Sequence, residues 1–182
     1  MNQKPLIFIS ITTLALLIGS CSFQDMKIGD KGWKSILGLK LSSSPKTNIT
    51  DPSFEQALIN KGFDNGVVDG SVLTANIDTI KNLDISGREI TDLKGIEDFI
   101  SLVNLDCNNN QISSLDLTQN AELENLMCYD NILTGLDISN NNKLKTLICY
   151  NNSIADLDVS QNSGLTELRC DNNQLTGLDI SN

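Results

Sequence analysis

Apolar positions return on a fixed beat from residue 80 onward. Leu102, Leu123, Leu144 and Leu165 stand 21 residues apart, and Leu105, Leu126, Leu147 and Leu168 follow three places later. Ile112, Leu133, Ile154 and Leu175 form a third column, and Leu115, Leu136, Leu157 and Leu178, each followed by Asp, a fourth. Between them run Cys107, Cys128, Cys149 and Cys170, then Asn110, Asn131, Asn152 and Asn173. The unit reads L-x-x-L-x-C-x-x-N-x-[LI]-x-x-L-D-[LIV]-[ST]-x-N. Self-similarity at such a period is the mark of a solenoid, in which no unit can bury its apolar face alone. Each unit predicts one short strand about its x-L-x-C-x segment, stacked in parallel on its neighbours about 4.8 Å apart.

The upstream stretch IKNLDISGREITDLKGIEDFISL keeps the apolar beat through Ile80, Leu83, Ile85, Ile90, Leu93, Ile96 and Phe99, with Ile85 in the cysteine slot and Arg88 in the asparagine slot. It reads as an atypical 22-residue first repeat over 80–101, followed by four 21-residue repeats over 102–182, the last incomplete. Before it, DPSFEQALINKG predicts a helix with Asp51 as N-cap, Pro52 in the first turn and Gly62 at the stop, burying Phe54, Ala57 and Leu58. DNGVVDGSVL carries Asn-Gly and Asp-Gly turn signals and predicts a small hairpin or a bend. Residues 51–79 are therefore expected to form an N-terminal helical cap. Residues 21–50 are polar with Pro and Ser, and predict a flexible tether.

The first twenty residues have a different pattern. Lys4 precedes a mostly apolar run from Leu6 to Ile18, which ends in Ile-Gly-Ser-Cys. The run is too short to span a bilayer and suits a signal peptide. Small residues before Cys21 resemble a lipoprotein cleavage site, which implies lipidation of Cys21 and anchoring to a bacterial membrane, on the outer membrane or cell surface.

The repeat, with cysteine in its third apolar slot, resembles the internalin J-type leucine-rich repeats of bacterial surface proteins, including Bacteroidetes members whose repeats follow a cap similar to residues 51–79. The resemblance covers residues 51–182. It implies a curved α/β-type leucine-rich repeat solenoid behind a small helical cap, used for adhesion or protein binding. Unlike Gram-positive members, the chain shows no wall-sorting signal.

Composition narrows the chemistry. The 182 residues carry a net charge of −10, no histidine and 4% aromatics. An acidic surface repels phosphate backbones, so nucleic acid is not an expected partner. Absent histidine removes the commonest general base and metal ligand. No nucleophile–base pair or phosphate loop stands out, so the reading is non-enzymatic, with no cofactor and no metal. Asp64 and Asp69 lack calcium-loop spacing, since Ala75 holds the place of the closing glutamate.

The four cysteines read as small buried hydrophobes in a structural ladder, because stacked rungs hold Cβ atoms too far apart for easy bridging. Disulfides and a metal string are the competing readings. Asn110, Asn131, Asn152 and Asn173 read as a second structural ladder, bonding backbone groups at the turn after the strand. Asn120, Asn141 and Asn162 read the same way at the opposite turn. Asp116, Asp137, Asp158 and Asp179 read as local turn formers in solvent, with a calcium-lined face as the alternative.

Candidate binding residues are those that vary between copies and face the concave side: Asp106, Met127, Ile148 and Arg169 in one column, and Asn108, Tyr129 and Tyr150 in the next. Met127, Ile148 and the chain's two tyrosines cluster where the frame demands nothing apolar, as a binding patch would. Simple cross-strand stabilisation is the competing reading. Arg169 is expected to pair with Glu167 or Asp171. The function expected is a lipid-anchored recognition module for a protein or glycoprotein ligand. The alternatives are an envelope assembly component, which self-associates through an uncapped C-terminal end exposing Leu168, Cys170, Leu178 and Ile180, and a carbohydrate-binding module.

Overall fold

The computed structural model describes residues 44–178. The expected signal peptide, Cys21, most of the tether, Asp179 and Ile180 lie outside these residues.

Strand β1 (Lys46–Asn48) pairs antiparallel with β2 (Ser71–Leu73), with Thr47 opposite Val72. Helix α1 (Pro52–Asn60) lies between them in sequence. Five three-residue strands then build one parallel sheet in chain order: β3 (Asn82–Asp84), β4 (Asn104–Asp106), β5 (Asn125–Met127), β6 (Thr146–Ile148) and β7 (Glu167–Arg169). Asn82 pairs with Asn104 at an offset of 22, and Asn104 with Asn125 at an offset of 21, so the sequence period is the structural register. This is the curved leucine-rich repeat solenoid that the periodicity predicts.

The central leucine of each strand points inward, and Leu83, Leu105, Leu126 and Leu147 are at most 1% exposed. A strand buries alternate residues, so the cysteine two places on is inside as well. Cys107, Cys128 and Cys149 are fully buried. The inward side chains of cap and repeats merge into one apolar core. Phe54 of α1 reaches Phe99 of the first repeat, with ring centroids 6.3 Å apart.

Lys46–Asn48, expected within the tether, form a strand. Within SSPKTNIT the alternation Thr47–Ile49 is that of a strand, and both residues are 2% exposed. A polar average over residues 21–50 conceals a five-residue pattern that gains its meaning from β2. The DNGVVDG segment forms a bend, not a hairpin. Gly66 and Gly70 take positive φ, Val67 and Val68 stay exposed, and the strand that follows pairs back to β1.

Helix α1 begins and ends on its predicted signals. The Asp51 Oδ1 accepts from the N–H groups of Ser53 (2.7 Å) and Phe54 (3.1 Å). At the other end Gly62 (φ 77°) allows the Phe63 N–H to return to the Leu58 carbonyl at 3.0 Å, closing a Schellman turn. Glu55 is buried beside the expected Phe54, Ala57 and Leu58. Its carboxylate accepts from the N–H groups of Asp69, Gly70 and Ser71 at 2.8–3.2 Å, and so holds the bend.

Candidate functional site

The site is built on a frame of amides. Each ladder asparagine bonds two successive rungs. Asn131 Nδ2 donates to the carbonyls of Cys107 (3.0 Å) and Cys128 (3.2 Å), while its Oδ1 accepts from the Ile112 N–H at 3.0 Å. Asn152 and Asn173 repeat the pattern one and two rungs on. Asn110 joins its rung to the atypical first one through the Arg88 and Ile90 N–H groups and the Ile85 carbonyl. These contacts satisfy backbone groups that a three-residue strand leaves unpaired. Asn120, Asn141 and Asn162, fully buried, donate to carbonyls of the preceding rung at 2.9–3.2 Å.

The turn before each ladder asparagine requires left-handed backbone. Gly87, Asn109, Asp130, Asn151 and Asn172 occupy it with φ between 51° and 62°. Glycine, asparagine and aspartate are the residues that tolerate this region. This column was not singled out in the sequence, although its restriction to Gly, Asn and Asp was visible at the 21-residue beat.

The cysteines carry free thiols, buried at 107, 128 and 149 and half-buried at 170. Burial pushes the Cys149 thiol up to about 12, and also drives those of Cys107 and Cys128 well above the ordinary thiol range. A thiol so held stays protonated and is a poor nucleophile and a poor metal ligand. The aspartates after the fourth leucine accept locally. Asp116 takes Thr118 N–H at 3.0 Å and Oγ1 at 2.7 Å, and Asp137 takes Ser139 N–H at 3.0 Å. These bonds hold both carboxyls below the usual range.

On the concave side the non-inward residues of β4 to β7 line up across the strands. Met127 stands in register with Asp106 on one side and Ile148 on the other, and Ile148 with Arg169. Two places later in each rung, the Tyr129 and Tyr150 rings stack with centroids 4.6 Å apart and planes 15° apart. Arg169 departs from its expected pairing. Its Cζ lies 4.6 Å from the centre of the Tyr150 ring, and no ion pair to Glu167 or Asp171 forms. Those carboxylates are solvated and weakly attractive, whereas Tyr150 is the diagonal cross-strand neighbour within reach of a long side chain. Guanidinium, ring and ring thus form one continuous stack across three rungs.

Asn108, expected on the concave face, is only 5% exposed. Its amide bonds the Asp106 carboxylate within its own rung and draws the side chain against the sheet. Burial, reinforced by Tyr150, Asp106 and Asp130, pushes the Tyr129 hydroxyl up, so it remains a hydrogen-bond donor. Beside the strands, Lys143 meets Glu122 at 2.6 Å and Lys145 meets Glu124 at 2.7 Å, each across one rung. Exposed pairs of this kind contribute little to stability. The last described rung leaves Leu168 and Cys170 half-buried and Leu178 exposed.

No family model and no curated protein matches the chain. Solved structures do. A functional domain of InlJ from Listeria monocytogenes that includes a cysteine ladder is 34% identical over 78% of this chain, with a TM-score of 0.70. A leucine-rich repeat protein of Leptospira interrogans is 27% identical over 58% of the chain, with a TM-score of 0.53. The internalin InlF of Listeria monocytogenes is 23% identical over 72%, with a TM-score of 0.55, and shares the fold. The chain spans about a third of the InlJ and Leptospira chains and under half of the InlF chain. Repeat unit and fold are those of bacterial leucine-rich repeat proteins.

Proposed function

We propose that this protein is a non-catalytic recognition module of the bacterial surface, which binds a protein or glycoprotein ligand through its concave face and so serves adhesion or contact with a partner. The observation that carries the reading is the Tyr129–Tyr150–Arg169 stack beside Met127 and Ile148. The repeat frame asks for no apolar residue at these places, and amphipathic aromatics with arginine are the side chains that anchor interfaces. Likeness to internalin-type domains supports the same reading. Cys21 is the proposed lipid anchor. No helix among the described residues is long and apolar enough to cross a membrane.

The test is a screen of labelled protein against purified extracellular proteins and glycoproteins. A Tyr129→Ala/Tyr150→Ala variant that keeps its circular dichroism should lose the captured ligand. Retention of full binding by the folded variant excludes the concave patch. For the anchor, labelled fatty acid should enter the wild type and not Cys21→Ala.

A further inference from the structure

The concave patch has a border as distinctive as its centre. Asp106 lies on its first edge. It accepts from the Asn108 backbone and side-chain amides, and both bonds fall on Oδ1. Asp130, next to Tyr129, accepts from Asn151 at 2.6 Å, again on Oδ1 alone. Each carboxylate therefore keeps an oxygen for a further donor. On the opposite edge Glu167 and Asp171 are exposed and flank Arg169. The guanidinium between them is drawn onto Tyr150. An apolar centre is thus bounded by carboxylates at both ends of a path that crosses the strands.

Most of the ring surface is already used. Tyr129 and Tyr150 cover one another, and the Arg169 guanidinium lies over the Tyr150 ring, which leaves only the outer face of Tyr129. A sugar that stacks on an aromatic needs an open face. The surface offers mainly ring edges, hydroxyls and the Met127 and Ile148 side chains, which suit an apolar side chain with polar neighbours.

We infer that the patch takes a polypeptide segment with an aromatic or large apolar residue at its centre and a lysine or arginine on each side. This rests on the concave-face reading above and adds the chemistry of the ligand. Asp106 and Glu167 stand three rungs apart, about 14 Å at the usual strand spacing, or about four residues of extended chain. The basic residues therefore belong about four positions apart, with the apolar residue between them.

Fluorescence anisotropy with the full chain and three labelled peptides tests this: Lys-Ala-Phe-Ala-Lys, its Glu-flanked counterpart and its Gln-flanked counterpart, with Lys-Ala-Ala-Ala-Lys as control. The Lys-Phe peptide should bind at least about tenfold more tightly than the Glu-Phe peptide, with the preference falling in high salt. It should also bind more tightly than the Lys-Ala control. Asp106→Asn/Glu167→Gln should erase most of the preference for the Lys-Phe peptide over the Gln-Phe peptide. Equal or tighter binding of the Glu-Phe peptide overturns the inference, as does equal binding of the Lys-Ala control. If all three Phe peptides bind alike and folded Tyr129→Ser/Tyr150→Ser loses them, the concave reading stands and the charge inference falls. If no peptide binds at millimolar concentration, or the tyrosine variant binds as the wild type does, both fall.

Discussion

The repeats and the joint that fastens the cap to them satisfy buried polar groups in opposite ways. In the repeats the work is done by neutral amides, two columns of asparagine whose bonds recur from rung to rung. At the joint it is done by carboxylates used once. Asp51 caps α1 with Oδ1, while its Oδ2 accepts from the Thr91 N–H (2.7 Å), the Thr91 hydroxyl (2.7 Å) and the Asp92 N–H (3.1 Å) of the first repeat. Asp98 takes the Thr47 hydroxyl and Asp92 the Thr50 hydroxyl, both at 2.5 Å. A neutral ladder can be extended without accumulating charge. A carboxylate joint gains stronger, charge-assisted bonds at a single boundary and becomes sensitive to acid.

The comparison is broken most severely by removing a ladder amide. Asn131→Ala leaves the Ile112 N–H and the Cys107 carbonyl without this buried partner, and should cost about 3 kcal/mol, read as a fall in the denaturant midpoint. The same change at the exposed Asn142 should cost under about 0.5 kcal/mol.

Asp51→Ala should cost about 2 kcal/mol, combining loss of the helix cap with loss of the bonds to Thr91 and Asp92. Hydrogen exchange should locate the loosening in residues 44–78 and spare the rungs at Cys128 and Cys149. Gly95→Ala should act at the same joint by sterics, at about 1–2 kcal/mol. Gly95 has φ 106°, and an added Cβ would lie 2.4 Å from Ile49 Cδ1 and 2.9 Å from the Asn48 carbonyl.

Acid separates the two regions without mutation. Burial pushes the Asp51 carboxyl up, but the bonds from Thr91, Phe54 and Asp92 together outweigh it, and the group rests below its ordinary value. Its contribution to stability is therefore complete above the unfolded carboxylate value, near pH 4, and is lost as the pH falls through the folded one. Cap amides should lose exchange protection below about pH 4 before the amides of the central rungs do. Among the buried positions the smallest effect is expected of Cys128→Ala, at about 1 kcal/mol for a lost buried sulfur. In the native protein iodoacetamide should reach the half-buried Cys170 before Cys107 or Cys128.

Legibility followed repetition. Strand register, the inward columns and the asparagine frame could be read because each copy restates them. The cap could be read only where local signals suffice, as for Asp51, Pro52 and Gly62 in α1. Strand β1 is not legible because its short alternation at Thr47 and Ile49 lies in a polar stretch and gains meaning only from its partner, and Glu55 is not because a glutamate on a short helix is ordinarily solvated. On the concave face the membership of the patch was legible, since Met127, Tyr129, Ile148 and Tyr150 break the polar habit of their columns. The seat of Arg169 and the burial of Asn108 were not, because each depends on a side chain choosing between neighbours at similar distance.

The sequence by itself determined the solenoid, its 21-residue register and the side chains each rung turns inward, because a strict period leaves a chain few ways to bury one stripe of leucine, cysteine and asparagine. Only the tertiary structure decided how the cap is fastened and how the concave row is assembled. Asp51 gains its second set of donors, and Tyr150 its arginine, from residues whose proximity exists only once the rungs have stacked.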